Sequence, residues 1–397
     1  MGKKVIQGLL MIGLLWFVNA VFAQDEFKPN IDFKGSRFSA GYLDSGKNGS
    51  YPQGSFQMPD VKLRFNWAMT SDMTVSTRMN LNNATFNSLD CFFIDYKNLF
   101  SMAIPSLKDS AFNPVIRLGR LKVDFGEEQA SNDPINGVLI SNSAANVAGY
   151  DEGLQFSQSL TKEKLGIPFK WSLSLTNGNT GTGADNNQAK ALCAKLGALP
   201  LPELYVSGSY YATGNLGVST GHVAASNAEV TYAGLATAPT NATQWTRTIT
   251  EIDVRYDLQP GKENRLNHGS PSFSDSKAFF RGAYGTFDDS GKDKVAPILK
   301  VTDSKGSYYF VEACYNATEK LYLGARYSII SLNKSTTFVT LNSFAGNKYT
   351  RISVGPGYRL SGNTHIKAEY LSNSENVPAG VTKPKINQYA ILFTTLF

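Results

Sequence analysis

Cysteine and histidine are almost missing from this sequence. Cys91, Cys193 and Cys314 stand far apart and form neither a Cys-x-x-Cys pair nor a Cys/His spacing, so no metal site is expected. An odd number of cysteines also leaves at least one thiol unpaired within the chain. His222, His268 and His365 are the only histidines. None stands in a nucleophile signature, which removes the usual acyl-transfer chemistry and argues against an enzyme. Gly-Lys pairs at 46–47, 261–262 and 291–292 sit in turn sequences without the spacing of a phosphate-cradling loop. No cofactor is called for. Charged residues make up 18% of the chain and form no clustered basic run, so nucleic acid is not an expected partner. Beyond the first residues, no stretch approaches the roughly 18 apolar residues that a helical membrane span needs.

The one long apolar run opens the chain. Lys3 and Lys4 precede a segment rich in Leu, Ile, Trp and Phe, and Val21-Phe22-Ala23 offers a small-x-small cleavage site before Gln24. This is the pattern of a secretory signal peptide over 1–23, leaving 24–397 as one mature domain. Its removal takes two lysines, so the formal charge falls from +6 to +4. The short lead from Gln24 to Asn30 gives no room for a plug domain. At the other end, Tyr389, Ile391, Phe393, Thr395 and Phe397 alternate up to a terminal aromatic. That ending resembles the assembly signal of Gram-negative outer-membrane barrels, which implies the barrel-assembly machinery as a partner through Phe397.

Between the ends the sequence is rich in Tyr (19), Phe (24) and Gly (35) and alternates with period two. Val61, Leu63, Phe65, Trp67 and Met69 interleave with Lys62, Arg64 and Asn66. Ile252, Val254, Tyr256 and Leu258 interleave with Glu251, Asp253, Arg255 and Asp257. One face suits hydrocarbon and the other water, and several runs reach the length of a tilted membrane strand. Short turns, such as 70–72, 318–320 and 361–363, alternate with long loops, such as 126–149 and 214–247. This layout predicts an all-β, transmembrane, antiparallel up-and-down barrel of about 16 strands in the outer membrane, with lipid as its outer partner. The segment 189–198 reads locally as a helix (Ala, Leu and Lys), but the up-down count assigns it as a strand.

A barrel of that size is too wide for side chains to fill and encloses an aqueous channel. Alternation points Lys62, Arg64, Arg78, Arg120, Lys122, Lys170, Arg255, Lys277, Arg281, Arg326, Arg351, Arg359 and Lys367 inward. The inward acids, Asp95, Glu251, Asp253, Asp257, Glu312 and Glu369, are fewer. An excess of bases on a low-dielectric wall concentrates anions. The loop 126–149 carries Val138, Leu139 and Ile140, which an external loop has little use for, so it is expected to fold into the lumen as a constriction. Glu127, Glu128 and Asp133 give that loop its acids. Facing the Arg64/Arg78 side, Glu127 and Glu128 would set up a transverse field that opposes simple anion selectivity.

Residues 112–129 read FNPVIRLGRLKVDFGEEQ. This resembles the signature of the phosphate-selective porin family, a strand of the form RxGRxKxxFG leading into the constriction loop. The Asn-Gly run at 177–179 with the Asn-rich lead into Lys190 is similar to that family as well. The resemblance implies a 16-stranded barrel, often a homotrimer, in which bases direct anions to the constriction; by position these are Arg117, Arg120 and Lys122. By alternation Arg120 and Lys122 share a face and Arg117 takes the other, unless a bulge intervenes. The sequence departs from the family in having no dense arginine ladder and no lysine cluster in the loop.

These readings point to a channel for small hydrophilic solutes that favours anions of the phosphate kind. The alternative is a surface-exposed barrel with an adhesive or structural role, for which the bland loop 214–247 is the best candidate. If the export reading holds, the chain recovered from outer membranes begins at Gln24 by amino-terminal sequencing or intact mass; a chain that retains 1–23 overturns it.

Overall fold

Sixteen antiparallel strands run in sequence order around a closed wall. The computed structural model describes residues 28–44, 54–81, 88–108, 110, 113–131, 135–144, 147–160, 166–178, 189–214, 216–217, 229–230, 244–260, 276–292, 304–332, 348–376 and 386–397. The segment 1–23, Asp133, His222 and His268 lie outside the described residues, as does most of the loop 214–247. The strands are β1 (Arg37–Asp44), β2 (Ser55–Ala68), β3 (Met73–Asn80), β4 (Ser88–Tyr96), β5 (Val115–Lys122) and β6 (Tyr150–Leu160). Next come β7 (Phe169–Thr176), β8 (Ala191–Leu201), β9 (Leu204–Ala212), β10 (Gln244–Pro260) and β11 (Ser276–Lys292). The wall ends with β12 (Ser304–Asn316), β13 (Leu321–Leu332), β14 (Lys348–Ser361), β15 (Thr364–Asn376) and β16 (Ile386–Leu396).

β16 pairs with β1 from Arg37↔Leu396 to Asp44↔Tyr389, which closes the ring. Two short pieces extend the ladders without adding a stave: Asn30–Asp32 pairs with the end of β2, and Leu216–Gly217 with the start of β10. Residues 31–43 are therefore not one continuous strand. A turn at Lys34–Gly35 separates the two halves, and there the backbone of Phe397 bonds to Gly35 and Ser36 at 2.7 and 2.8 Å.

The segment 189–198 is strand, and its neighbours explain why local helix propensity loses. Ala191–Ala198 is paired residue for residue with Phe169–Thr176 on one side and, over Leu192–Ala198, with β9 on the other. Strands β10 and β11 are the longest of the wall, at 17 residues each. Their ladder continues through Arg247↔Asp289 to Gln244↔Lys292, and the Arg247–Asp289 ion pair at 2.6 Å is fully buried. Among the connections at the short-turn end, 97–114 holds a short helix, Leu99–Ala103, and a 3-10 turn, Pro105–Leu107. Asn98 ties that segment to Asp72 at 2.7 Å and to Asn113 at 3.0 Å.

Alternation sorts the side chains as the sequence suggests. Along β14, Ile352, Val354, Tyr358 and Leu360 are exposed on the outside while Arg351, Ser353 and Arg359 are buried inside. β10 repeats this, with Ile252, Val254, Tyr256 and Leu258 outward and Glu251, Asp253, Arg255 and Asp257 inward. The three cysteines are free, and all are buried. Cys193 and Cys314 belong to apolar clusters within the barrel.

Ile252 lies half-way along β10 and is 63% exposed on the outer face. Ile252→Arg is expected to destabilise the barrel in bilayers by about 2–4 kcal/mol, measured by denaturant titration. A change near zero would remove this face from the hydrocarbon.

Candidate functional site: the loop-braced lumen

The lumen is organised by the segment between β5 and β6, which crosses the barrel interior and is fixed at both flanks. At its root Lys195 of β8 donates to the Gly126 carbonyl at 2.6 Å and pairs with Asp124 at 3.1 Å and Glu127 at 3.0 Å. Lys170 of β7 reaches the same Glu127 oxygen at 3.0 Å, and the Tyr205 hydroxyl donates to it at 2.5 Å. The Gly126 amide donates to Ser209 and the Glu127 amide to Asp253. Burial pushes the Glu127 carboxyl up, but Lys195, Lys170 and the Tyr205 hydroxyl outweigh it and hold the group below its ordinary range.

The far flank is gripped by the wall from β11 to β15. Glu369 accepts from the amides of Ile140 and Ser141 at 2.6 and 2.7 Å and from the Ser141 hydroxyl at 2.5 Å. Arg326 donates to the Ser141 carbonyl at 2.8 Å, Arg351 to that of Asn142 at 2.9 Å, and Lys367 to that of Gly137. Glu128 caps Ser143 through its amide and hydroxyl at 2.6 and 2.5 Å and lies 3.4 Å from Arg326. Arg281 and Arg326 share Glu312 at 2.5 and 2.6 Å, and Arg281 also donates to the Ser131 hydroxyl.

The apolar residues of the loop do what the sequence suggests. Val138 and Leu139 pack with Phe279, Cys314 and Tyr322 in one cluster. Their fit depends on Gly324 of β13: a Cβ there would stand 2.4 Å from Val138 and 3.2 Å from Leu139. Val123, Phe125, Ala144 and Val147 join Ala191, Tyr211, Ile249, Phe287, Tyr308 and Tyr349 in a second cluster toward the long-loop end.

The acids at the root do not face Arg64 and Arg78. Glu127 turns to Lys170 and Lys195, and Glu128 to Ser143 and Arg326, because those partners lie where the loop docks. The transverse field expected from them against the Arg64/Arg78 wall is therefore not built. That wall carries its own alternation of charge: Arg37–Asp60 at 2.6 Å, Lys62–Asp90 at 2.6 Å and Arg78–Asp90 at 3.2 Å. Arg64 bonds Asn66 at 2.8 Å. Of the remaining sequence-selected bases, Arg255 is buried against Asp257 at 2.7 Å with its guanidinium over Phe279, and Arg359 lies over Tyr322.

Two cavities lie against the loop. The smaller, about 360 Å³, is bounded by Arg37, Asp60, Glu128, Arg281, Arg326 and Lys367, with Leu139, Ile140 and Leu392 as apolar lining. The larger, about 860 Å³, brings Lys97, Arg117, Lys122, Lys170 and Lys195 together with Asp124 and a row of Ser and Gln side chains. Arg117 is held by Asp95 at 2.7 and 2.8 Å. Arg120 pairs with Glu152 at 2.8 Å and lines neither cavity, so Arg117 and Lys122, rather than Arg120 and Lys122, are brought together. Between Arg117 and Arg120, Gly119 takes φ +133°, and a Cβ there would meet the Phe92 carbonyl at 2.4 Å. Glycine takes that backbone conformation readily, and both ladders run through it in unbroken register.

No family model matches the chain, and no curated protein matches it by sequence. Solved structures do. OmpT, an outer membrane protein of Vibrio cholerae in a trimer form, matches with a TM-score of 0.57 at 11% identity, over 94% of this chain and 100% of that one. The outer membrane channel DcaP of Acinetobacter baumannii matches with 0.58 at 11% identity, over 93% and 97%. OmpF of Salmonella typhi, solved with daunomycin, matches with 0.54 at 12% identity, over 92% and 97%. The fold is that of an outer-membrane porin barrel. At these identities the likeness is one of fold. The apolar outer face and the closed wall place the barrel in a bacterial outer membrane.

Sequence reasoning missed Lys195, Arg37 and the Arg247–Asp289 pair. The signal for Lys195 was present: Ala191, Cys193 and Lys195 share one phase once 191–198 is a strand. Release of the far clamp tests the loop's role. Glu369→Ala with Gly324→Val is expected to raise single-channel conductance severalfold and to broaden its open-state noise. An unchanged conductance would show that the loop does not set the limiting width.

Proposed function

We propose that this chain is a diffusion channel for small hydrophilic solutes and that it favours anions, including those of the phosphate kind. The observation that carries the preference is the lining of the larger cavity, where Lys97, Arg117, Lys122, Lys170 and Lys195 stand against Asp124. Arg117 pairs with Asp95, and Lys170 and Lys195 with Glu127 and Asp124, but in the lining itself five bases stand against one acid. A low-dielectric wall focuses such an excess and raises the local concentration of anions. The smaller cavity adds less net field, because Arg37 is matched by Asp60, Arg281 and Arg326 share Glu312, and Arg326 also pairs with Glu128.

Two partners follow on the same reading. The barrel forms a homotrimer, as the OmpT neighbour does in its trimer form. Phe397 is 64% exposed beside the β1–β16 seam and is the handle for the barrel-assembly machinery.

Reversal potential across a planar bilayer in a salt gradient tests the selectivity. The anion side is expected, and Lys122→Ala is expected to weaken the preference more than Arg120→Ala. A cation-selective potential overturns the preference. Absence of conductance steps overturns the channel and favours an adhesive barrel.

A further inference from the structure

The larger cavity has a second property that bare ion passage does not require. Register sets uncharged polar side chains of β6 and β7 next to bases of β5, β7 and β8. Arg117 faces Gln155 across β5–β6, Ser157 faces Ser172, and Ser159 faces Lys170 across β6–β7. Ser172 in turn faces Lys195 across β7–β8. Gln155, Ser157, Gln158, Ser159 and Ser172 all line the cavity with Arg117 and Lys170.

Gln155 is the informative member. It is 5% exposed, it lines the cavity, and its Oε1 has no hydrogen-bond partner among the described residues. A buried carbonyl left without a donor costs free energy, and a donor from a solute removes that cost. Serine hydroxyls can both donate and accept, so the row beside Gln155 matches a solute that carries several hydroxyls. The bases at its margin match an anionic group. At about 860 Å³ the cavity also has room for such a solute.

We propose that this cavity binds polyhydroxylated anions, of the sugar-phosphate or sugar-acid class, in preference to bare inorganic anions. Arg117 and Lys170 take the anionic group, and Gln155, Ser157 and Ser172 take the hydroxyls. The inference rests on the channel reading above and gives it a substrate class.

The test is block of ion current through wild-type channels in a planar bilayer, with glucose 6-phosphate, inorganic phosphate and glucose compared at matched ionic strength. Glucose 6-phosphate is expected to reach half-block at a concentration about tenfold below either of the others. Equal values for glucose 6-phosphate and phosphate overturn the hydroxyl row while the anion preference stands. Glucose as effective as glucose 6-phosphate overturns the role of the bases. Gln155→Ala is expected to raise the half-blocking concentration of glucose 6-phosphate about fivefold and that of phosphate far less. Equal shifts for both solutes overturn the role of Gln155.

Discussion

Closure of the backbone ladder between β1 and β16 is the constraint on which everything else rests. In hydrocarbon no water is available for an unpaired N–H or C=O, so a sheet can span a membrane only as a ring without edges. The seam from Arg37↔Leu396 to Asp44↔Tyr389 supplies that ring. Once the ring is closed, side-chain alternation has only one meaning: Ile252 and Ile352 go to lipid, and Asp253 and Arg351 go to the interior. Sixteen staves then enclose more space than the wall's own side chains can fill, and the loop after β5 occupies part of it.

The loop is held mainly by charge, which makes its placement sensitive to balance. Glu312 is shared by Arg281 and Arg326, and all three are buried. A group of this kind adds little beyond the cost of its own desolvation, but deleting one member leaves another charge stranded and costs about 3–5 kcal/mol. Glu127 with Lys170 and Lys195 repeats the arrangement at the root. The apolar contact of Val138 and Leu139 with Phe279 and Tyr322 has no such conditionality and sets where the loop touches down.

Much of this was legible in the sequence, because membrane burial writes a strict period-two code. The number of strands and the strand character of 189–198 followed from that code and from turn lengths, and the inward fold of Val138 and Leu139 from their apolar side chains in a long loop. The direction of Glu127 and Glu128 was not legible. It depends on which wall the loop docks against, and that is fixed by contacts between residues far apart in the chain, such as Ile140 with Glu369. The pairing of Arg120 was not legible in β5 alone, because it is Glu152 on the neighbouring strand that captures the guanidinium. The charge balance of the β1–β3 wall was hidden as well, since Asp60 and Asp90 pair across strands with Arg37, Lys62 and Arg78.

The two flanks of the loop are tied to opposite arcs of the wall, one through Lys170 and Lys195 and the other through Arg326, Arg351 and Glu369. A wall one residue thick bends readily, and an empty cylinder under lateral pressure flattens into an oval. A chord pinned at both ends resists that flattening as a spoke stiffens a rim. The segment that crosses the interior therefore also ties two arcs of the wall together, so that losing either set of bonds would free the arcs to move apart.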